Sequence, residues 1–267
     1  MKKYFVVADV HGYYDELMMA LHLNGFDLNN PDHIFVSCGD LLDRGRKPLQ
    51  CMQFVNNLPN NRKLLIWGNH ESLMCDMIDK GYTQMHDYYN GTAQTVVDCL
   101  PSSTRATVDD SLKEFNNLPD WQQYLHSLEP YAEIGNYIFV HGWIPINGDK
   151  YDPKYNDEWR ILNFEDALWL NGMDMWSKGI REPNKTIVCG HWNTEWGHKH
   201  LHGKLPGSKD ARTFDFYQPF IDDGIIAGYG EMRNTEIPKG CEIIDAEGEY
   251  VGPGLIDIHS HTGDDIN

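Results

Sequence analysis

The sequence predicts an α/β fold in which five buried strands deliver one polar cluster to a single rim, an expectation that rests on three observations. Short apolar runs at residues 4–8, 34–38, 64–67, 137–140 and 186–189 each have the length and the β-branched or aromatic content of a buried strand. Helical spacing of apolar residues at 13–23 and 49–58 separates the first three runs, and strand–helix–strand alternation is the signature of an α/β sheet. Each run is followed, at once or after one glycine, by a residue able to hold a metal ion: Asp9, Asp40, Asn69, His141 and His191. Ligands of open α/β sheets bind beyond the carboxyl ends of the strands, so these five residues are expected to form one site.

Between the third and fourth runs, residues 72–130 read as mostly helical, with helices at 92–100, 111–118 and 121–128 stopped by Pro101, Pro119 and Pro130. This stretch is expected to form an inserted cap beside the site. Residues 193–220, rich in Gly, His and Lys, read as a long loop.

Composition narrows the class. The 267 residues are 41% hydrophobic, enough for a substantial core. A net charge of −18 disfavours nucleic acid and anionic membrane surfaces as partners, so a phosphorylated substrate would need a local positive site. Bound cations would supply one. Six scattered cysteines without a C-x-x-C pair match neither a disulfide framework nor a zinc ribbon, and no stretch has the length of a membrane span. A cytoplasmic setting is expected.

The motifs refine the chemistry. Asp9-Val10-His11-Gly12 offers a carboxylate and an imidazole just past a strand. Gly39-Asp40-Leu41-Leu42-Asp43-Arg44-Gly45 combines two carboxylates with a guanidinium suited to bidentate phosphate contact. Gly68-Asn69-His70-Glu71 adds a neutral oxygen ligand and a titratable ring, and His141-Gly142 and Gly190-His191 complete the series. Any one of these residues alone would read as a turn or a cap.

Taken in order, these motifs resemble the calcineurin-like metallo-dependent phosphoesterases, in wording close to their bacterial and phage serine/threonine phosphatase branch. The segment Asn90-Gly91-x-x-x-Thr95 is similar to one shared with symmetrical diadenosine tetraphosphatases. The resemblance implies a four-layer α-β-β-α sandwich with a helical cap insertion, spanning residues 1–227. It also implies two divalent cations, one held by Asp9, His11 and Asp40, the other by Asp40, Asn69, His141 and His191, with Asp40 bridging. Imidazole and carboxylate ligands together suit Mn, Fe or Zn, and Mn is the expectation. The implied reaction is direct attack on phosphorus by water activated between the cations, with His70 as proton donor, Asp43 orienting it and Arg44 gripping phosphate. The implied substrate is a phosphorylated protein or a small phosphoester, with a dinucleotide as the alternative.

Two departures stand out. Asn171 lies where the family commonly carries a second phosphate-binding arginine, which leaves Arg160 or Arg181 as replacements. Trp143 replaces a glycine and, with Trp192, is expected to wall the leaving-group pocket. Residues 228–267 form an atypical C-terminal segment. Its Pro253-Gly254-Leu255-Ile256-Asp257-Ile258-His259-Ser260-His261 resembles the opening of a metal-dependent amidohydrolase, without the ligands that such a site takes from later strands.

Overall fold

The computed structural model describes residues 2–101 and 107–192, together with the backbone of 255–257. The chain begins with β1 (Lys3–Ala8), α1 (Tyr14–Leu23), β2 (His33–Ser37), α2 (Pro48–Asn57) and β3 (Lys63–Ile66). Five helices and a short strand follow: α3 (Asn69–Lys80), α4 (Met85–Asn90), α5 (Thr92–Cys99), α6 (Val108–Asn116), α7 (Pro119–Leu125) and β4 (Leu128–Glu129). Then come β5 (Ala132–Ile134), β6 (Tyr137–Phe139), α8 (Gly172–Ser177), β7 (Thr186–Val188) and β8 (Leu255–Asp257).

The strands form two sheets. One is parallel throughout, ordered β4-β3-β2-β1-β8. The other runs β5-β6-β7, with β6 and β7 parallel.

Alternation along the strands assigns the layers. In β1, Phe5 and Val7 join a core that also holds Leu17 and Leu21 of α1, Met52 and Val55 of α2, and Phe115 and Trp121. The opposite face places Ala8, Ile34, Val36 and Ile66 against Phe139, sealing one sheet onto the other. The outer face of the second sheet buries Ile138 beneath Trp143, Trp159, Phe164 and Met175. The result is helices, sheet, sheet, and an outer layer that is mostly irregular with the short α8. Burying a Leu or Phe side chain fully contributes about 1.5–3 kcal/mol, so three separate apolar seams hold the strand ends rigidly in place.

The helices of residues 72–130 share the core of α1 and α2 through Met77, Val96, Leu112, Phe115, Trp121 and Tyr124, forming one helical layer with them. Pro119, read from the sequence as a stop, instead opens α7 at its first position, where a fixed φ and a missing N–H cost nothing. Strand β8 adds a parallel edge beside β1, with Val6 opposite Leu255. Residues 193–220, expected to form a long loop, and the His259–His261 pair lie outside the described residues.

Candidate metal centre

Strand ends deliver the predicted residues to one place, and the backbone there is unusual. Among the described residues, six of the seven non-glycine positions with positive φ are Asp9, His11, Asp40, Asp43, Arg44 and His191. Such conformations cost on the order of 1–3 kcal/mol each and persist where the surrounding structure imposes them. Here the two sheets and the helical layer do so. Gly68 is required for a related reason: a side chain there would collide with the Asp40 carboxylate.

Asp40 is the hub. Its Oδ2 lies 3.7 Å from His11 Nε2 and 3.9 Å from His70 Nε2, while Oδ1 lies 3.4 Å from His141 Nε2 and accepts from the His70 amide at 3.0 Å. Burial would push its carboxyl up, but His141, His70 and His11 outweigh burial and hold it well below the usual carboxylate range. Two trios of ligand atoms, His11–Asp40–His70 and Asp40–His141–His191, each lie within 4.8 Å of one another. Asp40 belongs to both, as a bridging carboxylate would.

The donor chemistry fits cations. His11 Nδ1 lies 3.0 Å from Leu42 O and His141 Nδ1 2.8 Å from Cys38 O, so each ring donates that proton to a carbonyl and turns a bare Nε2 inward. His141 Nε2 then faces Asn69 Oδ1 at 2.7 Å and Asp40 Oδ1 at 3.4 Å, three acceptors converging. A cation satisfies that convergence. Burial and the neighbouring His141 push His191 down to about 3, keeping its ring neutral and able to offer a nitrogen to a cation. Asp9 is buried beside the trios and belongs to neither, its carboxylate accepting from the His191 amide at 2.9 Å and 3.1 Å.

His70 is held differently. Its Nδ1 lies 2.7 Å from Asp43 Oδ2, and its Nε2 lies 3.3 Å from Arg44 Nη2. Burial lowers its pKa, but Asp40 and Asp43 together raise it to about 9. An arginine only donates, so the Arg44 contact belongs to the neutral ring, whereas the carboxylates favour the charged one. Proton transfer at Nε2 therefore exchanges one partner for another. Glu71 accepts from the Asp40, Leu41 and Gly68 amides at 3.0 Å each and from Tyr124 Oη at 2.9 Å, pinning the loop between β2 and the site.

Two sequence expectations are corrected. The Arg160 guanidinium is bound by Glu133 and, at 2.9 Å, by Glu182, and it stacks on Trp159 at 4.3 Å, so carboxylates rather than phosphate engage it. Arg181 likewise stacks on Trp176. Trp143 is a buried core residue packed in the outer apolar seam, its Nε1 donating to Ile180 O at 3.1 Å. Trp143→Ala is expected to cost about 3–5 kcal/mol of stability, read as a lower urea midpoint. Arg160→Ala should leave KM for a phosphoester within about twofold, read from initial rates.

The aromatic side chains at the site are others. Trp169 and Trp192, 49% and 44% exposed, set their rings at 6.0 and 5.8 Å from the His191 ring. Of these two, Trp192 carries the expectation of an aromatic wall, and Trp169 joins it from the segment before α8.

A carboxylate shared between two imidazole sets, with a His–Asp pair and an arginine alongside, defines a metal-dependent phosphoesterase centre. The chain belongs to the calcineurin-like phosphoesterase family, whose model matches residues 2–228. The symmetrical bis(5'-nucleosyl)-tetraphosphatase of Psychromonas ingrahamii is 40% identical over 67 residues, 25% of this chain and 23% of that protein. Its counterpart in Buchnera aphidicola is 41% identical over 71 residues, 27% of this chain and 24% of that one. The chain thus spans about a quarter of the length of the curated relatives it matches. Among solved structures, a putative diadenosine tetraphosphatase is 18% identical with a TM-score of 0.43, covering 70% of this chain and 74% of its own. A serine/threonine phosphatase from Saccharomyces cerevisiae is 19% identical with a TM-score of 0.42, covering 72% and 61%. Likenesses at that level carry no inference about substrate. No helix among the described residues is long and apolar enough to cross a membrane.

Proposed function

We propose that the chain hydrolyses phosphate monoesters of alcohols, with phosphoserine or phosphothreonine in a protein as the substrate class. The observation that carries this reading is the buried His70–Asp43 pair at 2.7 Å beside Asp40 and Arg44. An alkoxide is a poor leaving group that gains much from a proton delivered in the transition state, whereas a nucleotide leaves from an anhydride without one. A site with a proton donor built this firmly suits the alkyl ester.

Asp9, His11 and Asp40 would hold one divalent cation and Asp40, Asn69, His141 and His191 the second, with manganese the proposed metal. Such a pair supplies charge neutralisation and a water of lowered pKa. Arg44 would grip two phosphate oxygens in the planar fork that guanidinium offers. His70 would then exchange its Arg44 contact for a proton on Nε2 and pass that proton to the leaving oxygen, while Asp43 keeps the ring oriented.

A second reading, hydrolysis of diadenosine tetraphosphate, is favoured by the symmetrical tetraphosphatases that the chain matches over about a quarter of their length and by the two exposed tryptophans, which offer faces to a nucleobase. Manganese-loaded protein assayed on a phosphoserine peptide, p-nitrophenyl phosphate and diadenosine tetraphosphate separates the two. The expected result is turnover of both monoesters with the higher kcat/KM on them. A higher kcat/KM on the dinucleotide would favour the second reading, and no turnover of any substrate would overturn both. The free cysteines at 38, 51, 75, 99 and 189 are consistent with the proposed cytoplasmic setting.

A further inference from the structure

Helices α4 and α5 meet at Gly91, and this junction presses on the turn that carries Asp43 and Arg44. Gly91 has φ +86°, and a side chain there would overlap the Arg44 amide, so glycine is what permits the approach. One residue on, the Thr92 hydroxyl donates to Asp43 Oδ2 at 2.8 Å. One turn further, the Thr95 hydroxyl donates to Asp43 Oδ1 at 2.8 Å and accepts from the Asp43 amide at 3.1 Å. Both threonines are buried.

Neither hydroxyl caps its own helix, so their hydrogen-bonding capacity is directed across a gap of 49 and 52 residues onto one carboxylate. That carboxylate is the one bonded to His70 Nδ1. Each Asp43 oxygen therefore has a fixed donor besides the imidazole, and rotation of the carboxylate would break two hydrogen bonds at once. A buried carboxylate with fewer partners would tilt to recover them, carrying the ring with it.

We infer that Thr92 and Thr95 are positioning residues for leaving-group protonation: through Asp43 they set the direction in which His70 Nε2 points. The inference rests on the proposed monoesterase reading. In the step concerned, the His70 Nε2–H bond breaks and an O–H bond forms on the departing alkoxide, while the Nδ1 proton stays on the Asp43 side.

Two readouts test this inference. In manganese-loaded Thr92→Val/Thr95→Val protein, kcat on a phosphoserine peptide is expected to fall about tenfold or more. On p-nitrophenyl phosphate, whose leaving group departs unprotonated, kcat should fall less than about threefold, with KM for both within about twofold. Thr92→Ser/Thr95→Ser should restore the peptide rate. In zinc-loaded protein, the low-field proton resonance assigned to His70 Nδ1–H by its absence in His70→Asn is expected to shift or vanish in the valine variant and persist in the serine one. An unchanged resonance in the valine variant, or an equal fall of kcat on both substrates, would overturn the positioning role. If the wild type hydrolysed neither ester, the monoesterase reading would fail, and the resonance would still decide whether the threonines orient His70. Should the double variant not fold, Thr95→Val alone is read in the same two ways.

Discussion

Asp40→Asn is expected to lower bound manganese from two ions per chain to one or fewer and to cut turnover of p-nitrophenyl phosphate by about three orders of magnitude or more. The reason is its double membership: one oxygen faces His11 and the other His141. An amide of the same shape keeps a single carbonyl oxygen and no charge, so neither trio retains its anionic member. Cation-based stabilisation of a phosphoryl transition state amounts to several kcal/mol, and about 1.4 kcal/mol corresponds to tenfold in rate. Metal analysis of the purified variant beside initial rates checks both parts. Wild-type metal content in the variant would show that Asp40 is not a bridge.

His70→Asn should behave in the opposite way, keeping two ions per chain while kcat on a phosphoserine peptide falls by about two to four orders of magnitude. His70 shares a trio with His11 and Asp40 by distance alone, so on geometry it is a rival ligand. Its Nδ1 is committed to Asp43 and its Nε2 approaches Arg44, which a metal ligand's free nitrogen would not do. Loss of one ion in the variant would make it a ligand. Retention of both ions with a deep loss of kcat would make it the proton donor.

The five strand runs and their common rim were legible in the sequence because each run is followed, at once or after one glycine, by a polar residue of the cluster, whereas the order of the strands and their division into two sheets were not. Tyr4 to Ala8 runs directly into Asp9, and two residues past β6 the chain reaches His141. Backbone sterics explain why glycines flank the ligands: a residue that turns sharply off a strand at positive φ needs a small neighbour, as Asp40 needs Gly68. Less was legible where long-range packing decides. Trp143 sits one residue past His141-Gly142, and only the close-packed backbone around Gly142 shows that the indole turns into the core.

Arg160 was a plausible phosphate ligand by charge, yet Glu133 and Glu182, distant in sequence, claim it. Thr92 and Thr95 were missed as participants for the same reason, since their partner Asp43 is about fifty positions away. The signal was the Asn90-Gly91-x-x-x-Thr95 segment, whose glycine at a helix junction already marked a close approach to something.

Chelator-stripped protein titrated with manganese, with bound metal and p-nitrophenyl phosphate turnover followed together, tests the shared two-cation centre most directly. Turnover should be absent in the stripped protein and should rise to its full value only as occupancy reaches two ions per chain. Undiminished turnover after stripping, or full turnover at one ion per chain, would contradict a centre in which Asp40 joins two metals.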